Sequence, residues 1–211
     1  MNKYIEPDFN KSALITIDVQ NDFTLNDAPA KIDGTFELIS IYTKIINKFR
    51  KLNKPIIHAI RLYKEDGSNV DICRKEIIES GSKIVIPGSN GSEIVDELKP
   101  NNNIKLDHKK LLKNKFQEIS KNEWIMFKSR WGAFYKTKLD NFLKKLKINT
   151  LIIIGCNFPN CPRTTIYEAS ERDYKIVIIK DAISKIYDQG IIELVNIGVK
   201  ILTYNDFDKI L

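Results

Sequence analysis

Cys161 sits in the segment NCPRTT, directly before Pro162. Proline loses nothing by lacking an N–H at a first helical position, so a helix is expected to open here. A cysteine at that mouth meets free backbone N–H groups and the positive end of the helix dipole, which favour a thiolate. Two other reactive residues occupy comparable places: Asp18 closes the apolar run ALITID, and Lys128 directly follows EWIMF. The three types suit one reaction. A thiol attacks a carbonyl as its thiolate, and a free pKa near ~8.5 leaves little of that form at neutral pH. A carboxylate can take the thiol proton and later hand it to a leaving amine. An ammonium beside both steadies the thiolate and holds the carboxylate. Backbone N–H groups of the tight loop over 155–161 can supply donors to a developing oxyanion.

Such residues need elements that bring them to one edge. Six segments read as buried strands: Ala13–Asp18, Pro55–Ile60, Glu123–Phe127, Leu151–Gly155, Lys175–Lys180 and Lys200–Tyr204. Helical periodicity runs through Phe36–Leu52, Ala133–Lys147, Thr164–Asp173 and Ile191–Ile197. Strands apolar on both faces, alternating with helices, imply an α/β fold: a three-layer α-β-α arrangement around a six-stranded, mostly parallel, Rossmann-like sheet. Ligand groups in such sheets gather beyond the strand carboxyl ends, where Asp18, Lys128 and Cys161 all fall. The stretch 63–117 is turn-rich, with short helices expected at Asp71–Ser80 and Glu93–Leu98. It reads as an insertion beside the sheet, and no linker divides the 1–211 chain into two domains.

Composition sets further bounds. No apolar run approaches the ~20 residues that span a bilayer, and the N-terminus lacks the apolar stretch of a secretory signal. Three cysteines without secretory context fit reduced thiols in a cytoplasm. The formal charge of +7 could suggest nucleic acid, but the lysines are scattered, and the densest basic stretch, KLDHKKLLKNK, has no interleaved aromatics. A small molecule is the expected partner, with no nucleic acid and no membrane.

Phe23, Arg130 and Trp131 flank the reactive positions and are candidates to line a pocket, although core packing explains the two aromatics equally well. Arg61, just past the second strand, is equally placed to meet a substrate carboxylate or to pair with an acidic side chain. His58 alternates with apolar neighbours and reads as a hydrogen-bonded core histidine. Cys156 is expected to pack at its strand end, and Cys73 to be incidental.

Taken in order, ALITIDVQNDF and FKSRWGAFYKTKLDNFLKKLKINTLIIIGCNFPNCPRTTIYEASERDYKIVIIKDAIS resemble the isochorismatase-like cysteine hydrolases, a family that includes nicotinamidases and N-carbamoylsarcosine amidases. The resemblance implies that Asp18 is the acid/base, Lys128 the charge stabiliser and Cys161 the nucleophile of an amidohydrolase working through a thioester. It also implies a cis peptide joining Cys156 to Asn157, an oxyanion hole from the amides of Asn157 and Cys161, and assembly as a dimer or tetramer. Nicotinamidases of the family hold a metal through an Asp-x-His…His cluster after the second strand. HAIRLYKEDGSN has no such cluster, so no metal and no other cofactor is expected. The chain departs from the family at Asn157-Phe158-Pro159, where many members carry small or threonine-type residues, and this bears on what the pocket accepts. Two alternatives stand beside the amidase: an isochorismatase-type vinyl ether hydrolase, and a binding or regulatory member without turnover.

Overall fold

Runs of isoleucine, leucine and valine build the sheet, and their alternation supplies two apolar faces. The computed structural model describes residues 2–211. Its strands are β1 (Ser12–Ile17), β2 (Ile56–Ile60), β3 (Gln117–Ser120), β4 (Glu123–Phe127), β5 (Thr150–Gly155), β6 (Lys175–Ile183) and β7 (Lys200–Leu202). They form one sheet in the order β3-β4-β2-β1-β5-β6-β7. All pairings are parallel except that of β3 with β4. The sheet therefore has seven strands, one more than the sequence predicts. The added β3 is an antiparallel edge strand whose sequence, QEIS, buries only Ile119.

The helices are α1 (Asn21–Thr24), α2 (Ile39–Lys51), α3 (Ile72–Glu79), α4 (His108–Leu111), α5 (Leu139–Lys145), α6 (Cys161–Ser170), α7 (Asp188–Asn196) and α8 (Tyr204–Ile210). On one face of the sheet Ala13, Ile15, Ile17 and Ile153 pack against Leu139 and Leu143 of α5, Ile166 and Ala169 of α6, and Leu194 of α7. On the other, Leu14, Ile152, Ile154 and Val177 meet Tyr42, Ile45, Ile46 and Phe49 of α2 and Phe207 of α8. Residues one apart in β1 thus bury into opposite layers, as a strand with period two and two covered faces requires.

Several boundaries differ from the sequence expectation for local reasons. The helix expected over Ala133–Lys147 begins only at Leu139. Upstream, Lys136 stands at φ +50, a left-handed conformation that interrupts a right-handed helix, while the Ala133 N–H donates to Thr165 Oγ1 (3.1 Å) and the Phe134 N–H to Glu168 Oε2 (2.8 Å) of α6. The last strand stops at Leu202 because Thr203 and Asp206 form a capping box that starts α8. Of the two short helices expected in the insertion, α3 forms. The second shrinks to a 3-10 turn over Asp96–Leu98, while Ile94 bridges Gln20 instead.

His58 is the hydrogen-bonded core histidine its strand position suggests. Its Nδ1 lies 2.8 Å from Thr16 Oγ1 and its Nε2 2.9 Å from Glu123 Oε1. Arg50 of α2 closes the chain of contacts with two hydrogen bonds to the Glu123 carboxylate.

Candidate active site

Each central strand extends its ladder by one residue beyond its carboxyl end, and each extension delivers one side chain. The Asp18 N–H donates to the Ala59 carbonyl (2.9 Å), the Lys128 N–H to the Ile60 carbonyl (2.9 Å) and the Cys156 N–H to the Ile17 carbonyl (3.0 Å). Asp18 turns the chain at φ +53, a conformation that aspartate tolerates better than most residues. Lys128, fully buried, places Nζ 2.8 Å from Asp18 Oδ2. The second oxygen, Asp18 Oδ1, is buried with no hydrogen-bond partner among the described residues. Cys161, the first residue of α6, lines the same pocket as Asp18.

The structure corrects one expectation here. Despite its place at the helix mouth, Cys161 is held as a thiol, its pKa pushed up to about 11. Burial is the largest cause, and the Asp18 carboxylate beside it adds to the rise; Lys128 and Arg61 act in the opposite sense. Only 5% of the residue is exposed, so desolvation of a thiolate outweighs the helix end. The arrangement therefore calls for a proton acceptor at the moment of attack, and Asp18 Oδ1 is the free acceptor.

The loop between β5 and α6 begins at Gly155, whose φ is +124 and where an added Cβ would overlap the Ile17 carbonyl oxygen. Only glycine lets β5 run this close to β1 at the turn. The Cys156–Asn157 peptide that follows is cis. Among the described residues, neither the Asn157 N–H nor the Cys161 N–H donates to another backbone group. Both are thus available to a ligand oxygen. Cys156 is buried, and its Sγ donates to the Asp18 carbonyl (3.0 Å). All three cysteines are free thiols.

Asp18, Phe23, Arg61, Tyr63, Trp131 and Cys161 line a narrow pocket, to which Arg74 and Asn157 also contribute. Phe23 and Trp131 thus face the cavity, as their flanking positions allow. Arg130 does not: its Nη1 donates to the carbonyls of Ser129 (2.7 Å) and Asn69 (3.1 Å), and its own carbonyl receives Lys128 Nζ (3.4 Å). Phe158 also turns away. It is buried in the core beneath α7, edge-on to Tyr187, in a space that a Cβ on Gly190 would fill. Of Asn157-Phe158-Pro159, only Asn157 reaches the pocket, so the loop bears on the ligand less than its sequence suggests. Tyr63 and Arg74 are lining residues that sequence reasoning missed, and both come from the 63–117 stretch. A signal for Arg61 was present, since it follows β2 as Asp18 follows β1 and Lys128 follows β4. Among the described residues, no three His, Cys, Asp or Glu side chains gather in a way that could hold a metal ion.

A parallel sheet carrying its reactive side chains at the carboxyl edge defines a three-layer α/β protein with a strand-end site. The sequence matches the isochorismatase domain over residues 12–117 and 107–205, so the chain belongs to the isochorismatase family of hydrolases. A probable inactive nicotinamidase of Arabidopsis thaliana is 28% identical over 208 residues, covering 95% of this chain and 96% of the relative. The solved isochorismatase family protein of Desulfovibrio vulgaris superposes with a TM-score of 0.78 at 27% identity, covering 95% and 97% of the two chains. The N-carbamoylsarcosine amidase of Thermoplasma acidophilum shares the fold, with a TM-score of 0.71 at 23% identity over 92% and 97% of the chains. Among the described residues, no helix is long and apolar enough to cross a membrane.

Proposed function

We propose that this protein is a cysteine hydrolase of small amide, ureide or carbamoyl compounds. The observation that carries the reading is the Asp18–Lys128 pair at 2.8 Å, with Asp18 Oδ1 unpartnered in the pocket that Cys161 lines. As Cys161 Sγ attacks the carbonyl carbon, its proton passes to Asp18, and the carbonyl oxygen takes negative charge that the N–H groups of Asn157 and Cys161 receive. Lys128 keeps the carboxylate in place and offsets the charge developing on sulfur. The C–N bond then breaks, and the proton leaves with ammonia or an amine. Water attacks the resulting thioester with Asp18 as base, releasing the carboxylic acid and restoring the thiol.

The test is ammonia release across a panel of small amides, ureides and carbamoyl compounds, run with the wild type and with Cys161→Ala. The variant should lose turnover while keeping the circular dichroism of the wild type. Full activity in Cys161→Ala on any compound the wild type hydrolyses would rule the mechanism out.

A further inference from the structure

Arg61 is the least explained side chain in the pocket. It is 2% exposed, yet neither Nη nitrogen makes a hydrogen bond to the described residues. Nη1 lies 2.9 Å from Asp71 Oδ2, but that oxygen already accepts from the Tyr63 hydroxyl (2.8 Å), and Nη1 lacks hydrogen-bonding alignment to it. Leaving buried charged donors unmade is costly, and few native groups are left so without a ligand or water to serve. The backbone of Arg61 is fixed: its N–H donates to Gln20 Oε1 (2.7 Å), and Gln20 Nε2 donates back to its carbonyl (2.8 Å). The guanidinium carbon lies 5.7 Å from the Tyr63 ring centre and 5.4 Å from that of Trp131. The guanidinium carbon of Arg74 stands 5.7 Å from the ring centres of both Phe23 and Trp131. Trp131 is thus shared by two guanidinium groups that both line the cavity.

The charges point the same way. The lining residues and their direct partners comprise three cations, Lys128, Arg61 and Arg74, against two carboxylates, Asp18 and Asp71. Lys128 is committed to Asp18, and Asp71, which also holds the Tyr63 hydroxyl, is the one carboxylate set against the two lining arginines, so one positive charge is unmatched. A singly charged planar anion fits that balance and the small cavity, whereas a phosphate brings more charge and bulk. A guanidinium fork beside aromatic rings is the side-chain chemistry suited to a carboxylate.

We propose that the substrate carries a carboxylate, received by the Arg61 Nη groups with Arg74 behind it, while its amide or carbamoyl carbon faces Cys161. The clause about Cys161 rests on the hydrolase reading; the carboxylate subsite does not. The experiment therefore measures binding without turnover. The Cys161→Ala protein is titrated calorimetrically with N-carbamoylglycine against N-carbamoylglycinamide, and with succinamate against succinamide. Each pair exchanges a carboxylate for a neutral amide of nearly the same shape. The carboxylate member of at least one pair should bind about tenfold or more tightly. Arg61→Gln in the same background should bring the ratio close to one, and Arg74→Gln should reduce it by a smaller factor. The ligand-side comparison needs no arginine variant and stands even if Arg61→Gln fails to fold. Equal affinities within both pairs, or no binding of either carboxylate, overturn the proposal. A preference that survives intact in a folded Arg61→Gln protein overturns the assignment to Arg61. Ammonia release from the same four compounds by the wild type separates the two readings. Carboxylate-dependent binding without release counts against hydrolysis and leaves the subsite standing, while release with no carboxylate preference does the reverse.

Discussion

Replacing Asp18 by asparagine should push the reactivity of Cys161 in two opposite directions. The thiol stands at about 11 through burial first and the Asp18 charge second. At pH 7 the thiolate fraction is then on the order of 10⁻⁴, so turnover depends on a base that takes the proton during attack. The amide side chain would keep the shape, remove the negative charge and leave Lys128 without its counter-ion. Stripping a like charge from a buried acid lowers its titration midpoint by about 1–3 pH units. Alkylation of Cys161 by iodoacetamide, followed by peptide mass spectrometry across pH, should therefore show a lower midpoint in Asp18→Asn than in the wild type. Hydrolysis should fall by about 10²–10⁴, because the proton acceptor is gone. An alkylation profile that stays in place or moves upward, or a variant that hydrolyses as fast as the wild type, would refute the reasoning.

Lys128→Met removes the partner of a buried carboxylate and should cost about 3–5 kcal/mol in chemical denaturation, while Asp18→Asn in the same chain should restore most of it. A single variant as stable as the wild type would show that the pair is not coupled. Glu123 is held from 4.5 down to about 2: burial raises it, but hydrogen bonds from Arg50 and His58 outweigh that. A carboxyl depressed in the folded state contributes stability above its unfolded pKa and loses it as pH falls through the folded one. The wild type should thus lose about 3 kcal/mol between pH 4.5 and 2, and Glu123→Gln should be flatter over that window in thermal melts. Gly155→Ala drives a methyl into the Ile17 carbonyl at φ +124 and should destabilise by at least about 1–3 kcal/mol, read as a lower melting temperature.

The sequence made six strands legible because each is a short apolar run buried on both faces. It hid β3, whose only buried residue, Ile119, gives no periodicity; the pairing with β4 makes it a strand. The start of α8 carried a readable signal in Thr203 and Asp206, masked by the apolar residues just before it. At the site, Asp18, Lys128 and Cys161 were legible as strand-end and helix-start residues. Arg61 and Arg130 could not be told apart in the same way. Their fates depend on which carbonyls and rings the folded chain brings near them: Tyr63 and Trp131 for Arg61, Asn69 and Ser129 for Arg130. The protonation of Cys161 was likewise beyond the helix-mouth argument, since burial is set by the layers around α6 and not by local sequence.

The central claim is a covalent step at Cys161, and rapid-quench intact-mass spectrometry tests it most directly. Mixing the wild-type protein with an amide that it hydrolyses should yield a transient adduct of the acyl portion, mapping to the Cys161 peptide and absent from Cys161→Ala. Turnover that proceeds with no adduct and persists in Cys161→Ala would contradict the account.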